Sequence, residues 1–251
     1  MTDIYELEPE APTPDLPGTV IVRPNPSETA DAIAADFFIH AVNCVRTFGD
    51  FHIALPGGES PVPLYRTLML DPAYRDMPWK RTHIWLVSDT PEHKAAELVR
   101  DILVVHGDVP RDQFHPMDVA RGDADKAYAK ELREHLGWRE KGHDRLDYVL
   151  LGLGSDGSTA GYPGSAPVPD HEDRLAHLTN SNHPRTLSLS MRVINAARLI
   201  AVVATGAEKQ PGLELAMKPN AGKPIGQLQP VGGALRWYLD KEATSGSKGR
   251  A

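Results

Sequence analysis

The amino-acid sequence predicts an α/β fold in which a mostly parallel sheet lies between two layers of helices. Three observations support this prediction: short apolar strands alternate with helical segments, two strands are apolar throughout, and Gly-rich turns follow strand ends. Strands that are apolar along their whole length are typical of parallel sheets, because helices cover both faces of such a sheet. The repeated order of strand and then helix implies right-handed crossovers, and therefore a three-layer α/β/α sandwich.

The predicted strands are short runs of apolar and β-branched residues. They cover residues 19–22, 51–55, 83–87, 148–151 and 199–204. The runs at 148–151 and 199–204 are continuously apolar, which is typical of strands buried on both faces of a parallel sheet.

The first predicted helix is the longest. Asn25-Pro26-Ser27 opens it and Gly49 ends it. Its apolar stripe at helical spacing consists of Ile33, Phe37, Ala41 and Cys44. Further helices are predicted from Pro61 onward with Ser60 as the N-cap, over residues 92–106, over 124–136 with Tyr128 and Leu132 facing inward, and over 207–217.

Composition and charge exclude several classes of protein. The chain has 251 residues, 27 Lys and Arg against 34 Asp and Glu, and a formal net charge of −7. This balance argues against general binding to nucleic acid or to anionic membranes, which requires a positive surface. No apolar run approaches the roughly 18 residues of a membrane span. Because Cys44 is the only cysteine, the sequence excludes an intramolecular disulfide framework and a Cys-based zinc cage.

The predicted organisation is one domain over residues 19–242 between two tails. Residues 1–18 hold five acidic residues, four prolines and no Lys or Arg, which is typical of a disordered acidic segment. Residues 243–251 are predicted to form a second flexible tail. The first residues also lack the charged and apolar regions of a secretory signal, so we expect a cytoplasmic protein.

Three strand ends carry turns that suit an anionic ligand. They begin at Gly57-Gly58, at Gly152 and at Thr205-Gly206. Glycine lets the backbone approach an anion, and the helix that follows supplies unpaired N–H groups and a positive dipole end. Each turn taken alone is also explained as an ordinary connection between a strand and a helix.

Five segments resemble those of 6-phosphogluconolactonases, in the same order and spacing over roughly residues 20–242. They are Leu55-x-Gly57-Gly58-x-Ser60-Pro61 with Tyr65, Leu150-Leu151-Gly152-Leu153-Gly154-x-Asp156-Gly157, Ile194-Asn195-Ala196-Ala197-Arg198, Thr205-Gly206-x-x-Lys209, and Gln229-Pro230-x-x-Gly233-x-Leu235-x-Trp237-x-Leu239-Asp240. The resemblance implies a Rossmann-like fold shared with glucosamine-6-phosphate deaminases. It also implies a site without metal or cofactor that opens 6-phosphoglucono-1,5-lactone to 6-phosphogluconate in the pentose phosphate pathway.

The resemblance assigns roles to particular positions. Its implied catalytic positions are Asp156, Ser158 (in the place of the family's histidine) and Asp89. The positions that it implies for binding the substrate and its phosphate are Gly57, Gly58, Ser60, Gly154, Gly157, Thr159 and Lys209.

The chain departs from the family pattern at three places. Ser158 stands where the family's GxxDGHTASLFP segment has its basic histidine, and a serine hydroxyl is no base near neutral pH without an activating partner. Thr90 replaces the arginine of a DER triplet, which removes a bidentate clamp. Glu59 enters a loop that reads SGGSTP in the family. In one hypothesis its carboxylate takes the place of the phosphate; in the alternative it points into water.

Two functions follow. The first is an active lactonase, in which another histidine such as His171 or His93 could replace the base. The second is a catalytically impaired homologue that binds a phosphorylated sugar or a protein partner. In both, the expected ligand is a small phosphorylated sugar or lactone, with neither nucleic acid nor a membrane as partner.

A deaminase reaction is disfavoured because it uses the same missing histidine, and a metal site at residues 170–173 is disfavoured because adjacent loop residues cannot all face one ion.

Overall fold

The computed structural model describes residues 13–137, 144–169, 173–179, 185–218 and 222–246. Its centre is a seven-stranded sheet in the order β1-β10-β9-β6-β2-β3-β5, and every neighbouring pair in it is parallel. These strands are β1 (Thr19–Arg23), β2 (Phe51–Leu55), β3 (Thr82–Leu86), β5 (Phe114–His115), β6 (Tyr148–Gly152), β9 (Leu199–Ala204) and β10 (Ala234–Asp240). The α/β fold with a mostly parallel sheet is thereby confirmed.

All five predicted strands are present, within one residue of their expected ends. As the continuously apolar runs indicate, β6 and β9 are adjacent central strands, buried along nearly their whole length. Sequence analysis did not identify β10, although it is the longest strand of the sheet. Polar Arg236 interrupts its apolar residues, so no continuous run marks it.

Helices cover both faces of the sheet. They are α1 (Pro26–Phe48), α2 (Val62–Leu70), α3 (Lys94–Val99), α4 (Ala124–Leu136), α5 (Met191–Ala196), α6 (Gln210–Ala216) and α7 (Lys241–Thr244). Both ends of α1 are as predicted: the Asn25 side chain accepts the backbone N–H of Glu28 at 3.0 Å, and Gly49 ends the helix at a φ of 90°. Helix α4 matches its predicted bounds, and Tyr128 and Leu132 are buried as expected.

Three helix predictions need correction. Helix α2 begins at Val62 with Pro61 at its cap position, so Ser60 is not the N-cap that sequence reasoning expected. The helix expected from residue 92 begins at Lys94, because His93 adopts a left-handed φ of 53°, and it continues after α3 as a π-helical turn, Arg100–Val104. The last predicted helix opens with a 3-10 turn, Ala207–Lys209, before α6.

The structure also corrects the inner limits of both predicted tails. Leu16 is 7% exposed, and the carbonyl of Pro17 accepts the indole N–H of Trp237 at 2.8 Å. At the other end Ala243 and Thr244 are buried in α7, which the Asp240 side chain caps. Burial and hydrogen bonds therefore hold Leu16, Pro17, Ala243 and Thr244 against the domain, although the sequence assigned these residues to the tails. Residues 1–12 and 247–251 lie outside the described part of the chain, and the single-domain assignment stays a prediction.

A second, antiparallel sheet was not expected. It has the order β4-β8-β7 and consists of β4 (Ser88–Asp89), β7 (Ala176–Thr179) and β8 (Thr186–Leu189). Because β4 follows β3 after one residue, this small sheet stands at the carboxyl ends of the central strands. Within the described ranges, no helix is both long enough and apolar enough to span a membrane.

Candidate functional site

The topology of the sheet places one crevice at its centre. Strands β2 and β6 are neighbours. After β2 the chain adds β3 and β5 on one side of this pair, and after β6 it adds β9 and β10 on the other side. Ligands of open parallel sheets bind at such a switch point, beyond the carboxyl ends of the strands. A cavity of about 570 Å³ lies here, within the size range of ligand sites. Its walls are the turns after β2 and β6, strand β4 with the residues that follow it, and the ends of β7 and β8.

The turn after β2 presents free donors to this cavity. Gly57, Gly58, Glu59 and Ser60 all line it, and none of their backbone N–H groups donates a hydrogen bond within the described part of the chain. Consecutive N–H groups without partners form a concave anion-binding surface. The predicted phosphate-binding residues Gly57, Gly58 and Ser60 therefore lie together in a wall that suits an anion.

Both glycines of this turn have a physical reason to be glycine. A Cβ at Gly57 would lie 2.6 Å from the Cβ of Ala95, so no other residue lets the turn approach the start of α3 so closely. Gly58 has a φ of 84°, which disfavours a side chain, although the space beside it is open.

Asp89 lines the cavity but is engaged by the backbone. Its carboxylate accepts the N–H groups of Thr90 at 2.9 Å, Ala95 at 3.1 Å and Ala96 at 3.1 Å, and the residue is 4% exposed. Burial raises the pKa of this carboxyl, and the same three N–H groups act in the opposite direction. The geometry makes Asp89 the anchor of α3, a role that sequence analysis did not assign to it.

Ser158 lies in the second wall of the cavity and is bonded to Asp156. The carboxylate of Asp156 accepts the backbone N–H of Ser158 at 3.0 Å and that of Gly164 at 3.1 Å. A hydrogen bond from the Ser158 side chain is the main cause that lowers the pKa of Asp156. Ser158 lines the cavity, whereas Asp156 is not among the described residues that line it. A serine hydroxyl that donates to a carboxylate can accept a hydrogen bond from water, but the lowered pKa makes this carboxylate a weak base.

The rest of the turn after β6 is internally bonded. Gly154 and Gly157 exchange backbone hydrogen bonds with residues of the same turn, and the Thr159 hydroxyl donates to the carbonyl of Gly152 at 2.7 Å. Gly152, Gly154 and Gly157 also have the GxGxxG spacing of dinucleotide-binding turns. That motif requires a helix directly after the glycines, and the described residues that follow form turns instead.

The structure shows the surroundings of Glu59 and Lys209, the two charged residues considered for the phosphate position. Glu59 is exposed, and its carboxylate accepts no hydrogen bond from any described residue, which agrees with a side chain in water. The Lys209 ammonium lies 3.9 Å from a carboxylate oxygen of Glu208, and Lys209 is not among the described residues that line the cavity. The prediction that it binds phosphate stays open.

Lys94 is the cation that the structure adds. It lines the cavity at the start of α3, where the other charged lining residues within the described ranges are Glu59 and Asp89. The sequence did not predict this role of Lys94, because the cation expected in this segment was the arginine that Thr90 replaces. Thr179 and Thr186, at the ends of β7 and β8, were also missed, since these short half-polar strands carry no clear signal.

None of the described lining residues is a histidine. His93 stands beside the site, with its Nδ1 atom 3.9 Å from an Asp89 carboxylate oxygen, but it is not part of the cavity wall. His171, the other histidine considered as a substitute base, lies outside the described residues, as do residues 170–172 of the candidate acidic metal site.

Comparison with known proteins agrees with this architecture. A family model described as glucosamine-6-phosphate isomerases/6-phosphogluconolactonase matches residues 24–237. The solved 6-phosphogluconolactonase from Trypanosoma cruzi has a TM-score of 0.75 at 22% identity, and the match covers 93% of this chain and 98% of that one. At this identity the structural match supports the fold alone.

Two curated relatives are more similar in sequence. The human GDH/6PGL endoplasmic bifunctional protein is 33% identical over 238 residues, which are 87% of this chain and 29% of the human protein. The 6-phosphogluconolactonase of Synechocystis sp. is 32% identical over 208 residues, covering 78% of this chain and 84% of the relative. The chain thus spans less than a third of the bifunctional relative and most of the bacterial one.

Proposed function

The chain belongs to the family of glucosamine-6-phosphate isomerases and 6-phosphogluconolactonases, and from this membership we propose that it hydrolyses 6-phosphoglucono-1,5-lactone to 6-phosphogluconate. The observation that carries the proposal is the row of undonated backbone N–H groups at residues 57–60, which lines a cavity of suitable volume at the switch point of the sheet. A phosphate supplies acceptors for these donors, and Lys94 adds a cation in the same wall.

The lactone would lie across the crevice, with its phosphate at the turn after β2 and its carbonyl toward the turn after β6. Hydrolysis requires attack by water on the carbonyl carbon, cleavage of the bond to the ring oxygen, and transfer of a proton from the water to that oxygen. The Ser158 hydroxyl donates to Asp156, so its oxygen can accept a hydrogen bond from the attacking water and orient it. Orientation and electrostatic stabilisation then supply most of the rate enhancement.

A second candidate function is binding of the sugar phosphate without turnover. The resemblance implies that Ser158 stands in the place of the family's histidine, and the described lining residues include no imidazole. General-base assistance is typically worth about 10²–10⁴ in rate, so its loss would leave a functional binding site with little catalysis.

One experiment separates the two functions. Fresh 6-phosphogluconolactone is mixed with purified full-length chain, and its opening is compared with the spontaneous reaction under identical conditions. Acceleration that is proportional to protein concentration supports the lactonase. Calorimetric binding of 6-phosphogluconate without acceleration supports the second function, and the absence of both contradicts the proposed site. Unphosphorylated gluconate is the matched control, because it lacks the group that the turn after β2 would bind.

For partners and location we propose a small phosphorylated sugar as the ligand and the cytoplasm as the compartment. The single cysteine supports a reducing compartment, while the human relative is named as an endoplasmic protein. Fractionation of the source cells with compartment markers tests the location.

A protein partner of the acidic N-terminal residues stays an open proposal, tested by comparing pull-downs with the full chain and with a chain that lacks residues 1–12.

A further inference from the structure

A cluster of histidines lies at the opposite end of the sheet from the candidate site. His83 and His115 are the second residues of β3 and β5, and His135 is in the last turn of α4. Trp85 pairs with His115 across the strands, and strand residues two apart point to the same face, so His83 and His115 share one face. Each of the three histidines can present a ring nitrogen within 4.8 Å of those of the other two. We propose that His83, His115 and His135 bind one zinc ion.

Hydrogen bonds fix the tautomers of two of these rings. The Nδ1 atom of His115 lies 2.6 Å from a carboxylate oxygen of Glu131, so it carries the proton. The Nδ1 atom of His135 lies 3.0 Å from the backbone carbonyl oxygen of Glu131, which also only accepts. Both rings therefore keep the lone pair of Nε2 for a metal. In zinc sites the N–H group of a ligating histidine commonly donates a hydrogen bond to a carboxylate, which fixes the orientation of the ring.

The distances suit a tetrahedral ion. The Nδ1 atom of His83 lies 3.1 Å from the Nε2 atom of His115 and donates a hydrogen bond to it, so a metal would displace this proton when both nitrogens bind it. Two nitrogens bound to the same zinc at about 2.05 Å are roughly 3.3 Å apart, so these two positions need little adjustment. The third nitrogen has to approach by no more than about 1.5 Å, which rotation of a side chain in a terminal helical turn can supply.

The electrostatic state of the rings agrees with ligation. Burial, reinforced by the neighbouring rings of His52 and His115, lowers the pKa of His83 to about 3. Burial also lowers the pKa of His115. Neutral imidazole is the form that binds metals, and three imidazoles select zinc and similar transition metals over magnesium or calcium.

A neighbouring group of possible ligands is excluded by the same reasoning. Asp50, His52 and His83 also lie within ligand distance of one another. However, the indole N–H of Trp85 donates to the Nδ1 atom of His52 at 3.1 Å, so the proton of this ring is on Nε2, 3.3 Å from Asp50. A metal at His52 would displace Trp85 or Asp50, whereas at His115 it displaces only the bond to His83, which is itself a proposed ligand, so His52 supports the cluster but is not a ligand.

Zinc would connect the two-residue edge strand β5 and the end of α4 to β3, the neighbour of β5 in the sheet. The site is separated from the sugar-phosphate cavity by the length of the strands, about 15 Å, so the proposed ion takes no part in the lactone chemistry. We infer a structural role, in which the metal fixes the edge strand β5 to its neighbour β3.

The test uses tag-free full-length chain stripped with chelator, which is then titrated with zinc against a chromophoric chelator. We expect one ion per chain, and cobalt in place of zinc should give the intense visible absorption of tetrahedral Co²⁺. His135→Gln should weaken zinc binding at least 100-fold. Glu131→Gln should weaken it about 10–100-fold, because the carboxylate supports His115 only from outside.

The matched control is His106→Gln, which replaces an exposed histidine outside the cluster and should bind zinc like the parent chain. Circular dichroism of the metal-free variants checks that each has folded. Less than one ion per chain at micromolar zinc, or unchanged affinity in His135→Gln, would overturn the proposal and leave a hydrogen-bonded histidine network. Because the readouts are stoichiometry, affinity and absorption, the result is independent of lactonase activity.

Discussion

The carboxylate of Asp156 accepts the backbone N–H of Ser158 at 3.0 Å, so Ser158 is held in place by its second neighbour in the chain. The Ser158 hydroxyl also bonds to this carboxylate. The turn therefore keeps an ordered shape in the absence of the histidine, and the position faces a cavity with room for a larger side chain.

Restoring the imidazole should raise the rate of lactone opening. We expect Ser158→His combined with Thr90→Arg to accelerate the reaction by about 10²–10⁴ over the parent chain, because the resemblance implies a general base at the first position and a cationic clamp at the second. Initial rates with fresh lactone provide the measurement. Ser158→Gln combined with Thr90→Arg is the control, since glutamine has similar bulk and no basicity. Equal rates in the two variants would show that a missing base does not limit turnover.

Removing the anchor of α3 should destabilise the protein. In Asp89→Ala the N–H groups of Ala95 and Ala96 lose their acceptor. The expected loss is about 1–3 kcal/mol of the free energy of unfolding, measured by urea denaturation. Glu97→Ala changes an exposed acid on the same helix and should alter stability by less than about 0.5 kcal/mol. A stable Asp89→Ala variant would refute the anchoring role.

The turn after β2 should tolerate a methyl group poorly. Gly57→Ala is expected to cost about 1–3 kcal/mol, since its Cβ would meet Ala95 at 2.6 Å and force the turn away from α3. The same displacement should weaken binding of 6-phosphogluconate, measured by calorimetry. Gly122→Ala is the matched control, because a Cβ there meets no atom within 4 Å. Parental stability and affinity in Gly57→Ala would exclude the close approach as a constraint.

Arg198, part of a segment that resembles the family, has a structural role. Its Nε atom lies 3.0 Å from the carboxylate of Asp147, which is fully buried. Arg198→Ala should lower the free energy of unfolding by about 3–5 kcal/mol, because it removes a cation that is hydrogen-bonded to a buried carboxylate. Arg121→Ala breaks an exposed pair with Asp123 and should leave the denaturation midpoint unchanged. Similar midpoints for the two variants would contradict this role.

His40 should make stability depend on pH. Burial lowers the pKa of this histidine in the folded protein, aided by Arg236 and opposed by Asp36 and Asp147. Below the unfolded value of about 6.5, the unfolded chain therefore binds more protons at this position, and stability falls as the pH falls. In His40→Gln the decline between pH 7 and pH 5 should be shallower than in the parent, measured by thermal unfolding. His106→Gln serves as the exposed control, and a slope in His40→Gln equal to that of the parent would refute the assignment.

Particular residues show which parts of the fold were predictable. The ends of α1 followed from Asn25 and Gly49, because capping depends on a few neighbouring atoms and leaves a local signature. The start of α3 did not, since it depends on the Asp89 carboxylate across a turn. Ser60 was expected to cap α2, but the chain places Pro61 there, and the N–H groups of residues 57–60, which line the cavity, donate to no described residue.

By itself, the sequence determined the layers of the fold, its central strands β6 and β9, and the turns that form the candidate site. These features depend on hydrophobic periodicity and on glycine positions, which are local properties of the chain. Only the tertiary structure decided that Lys94 joins the cavity wall, that Lys209 does not line it, and that three histidines distant in sequence meet at the other end of the sheet. Such placements depend on strand register and helix packing, which bring together residues that share no local pattern.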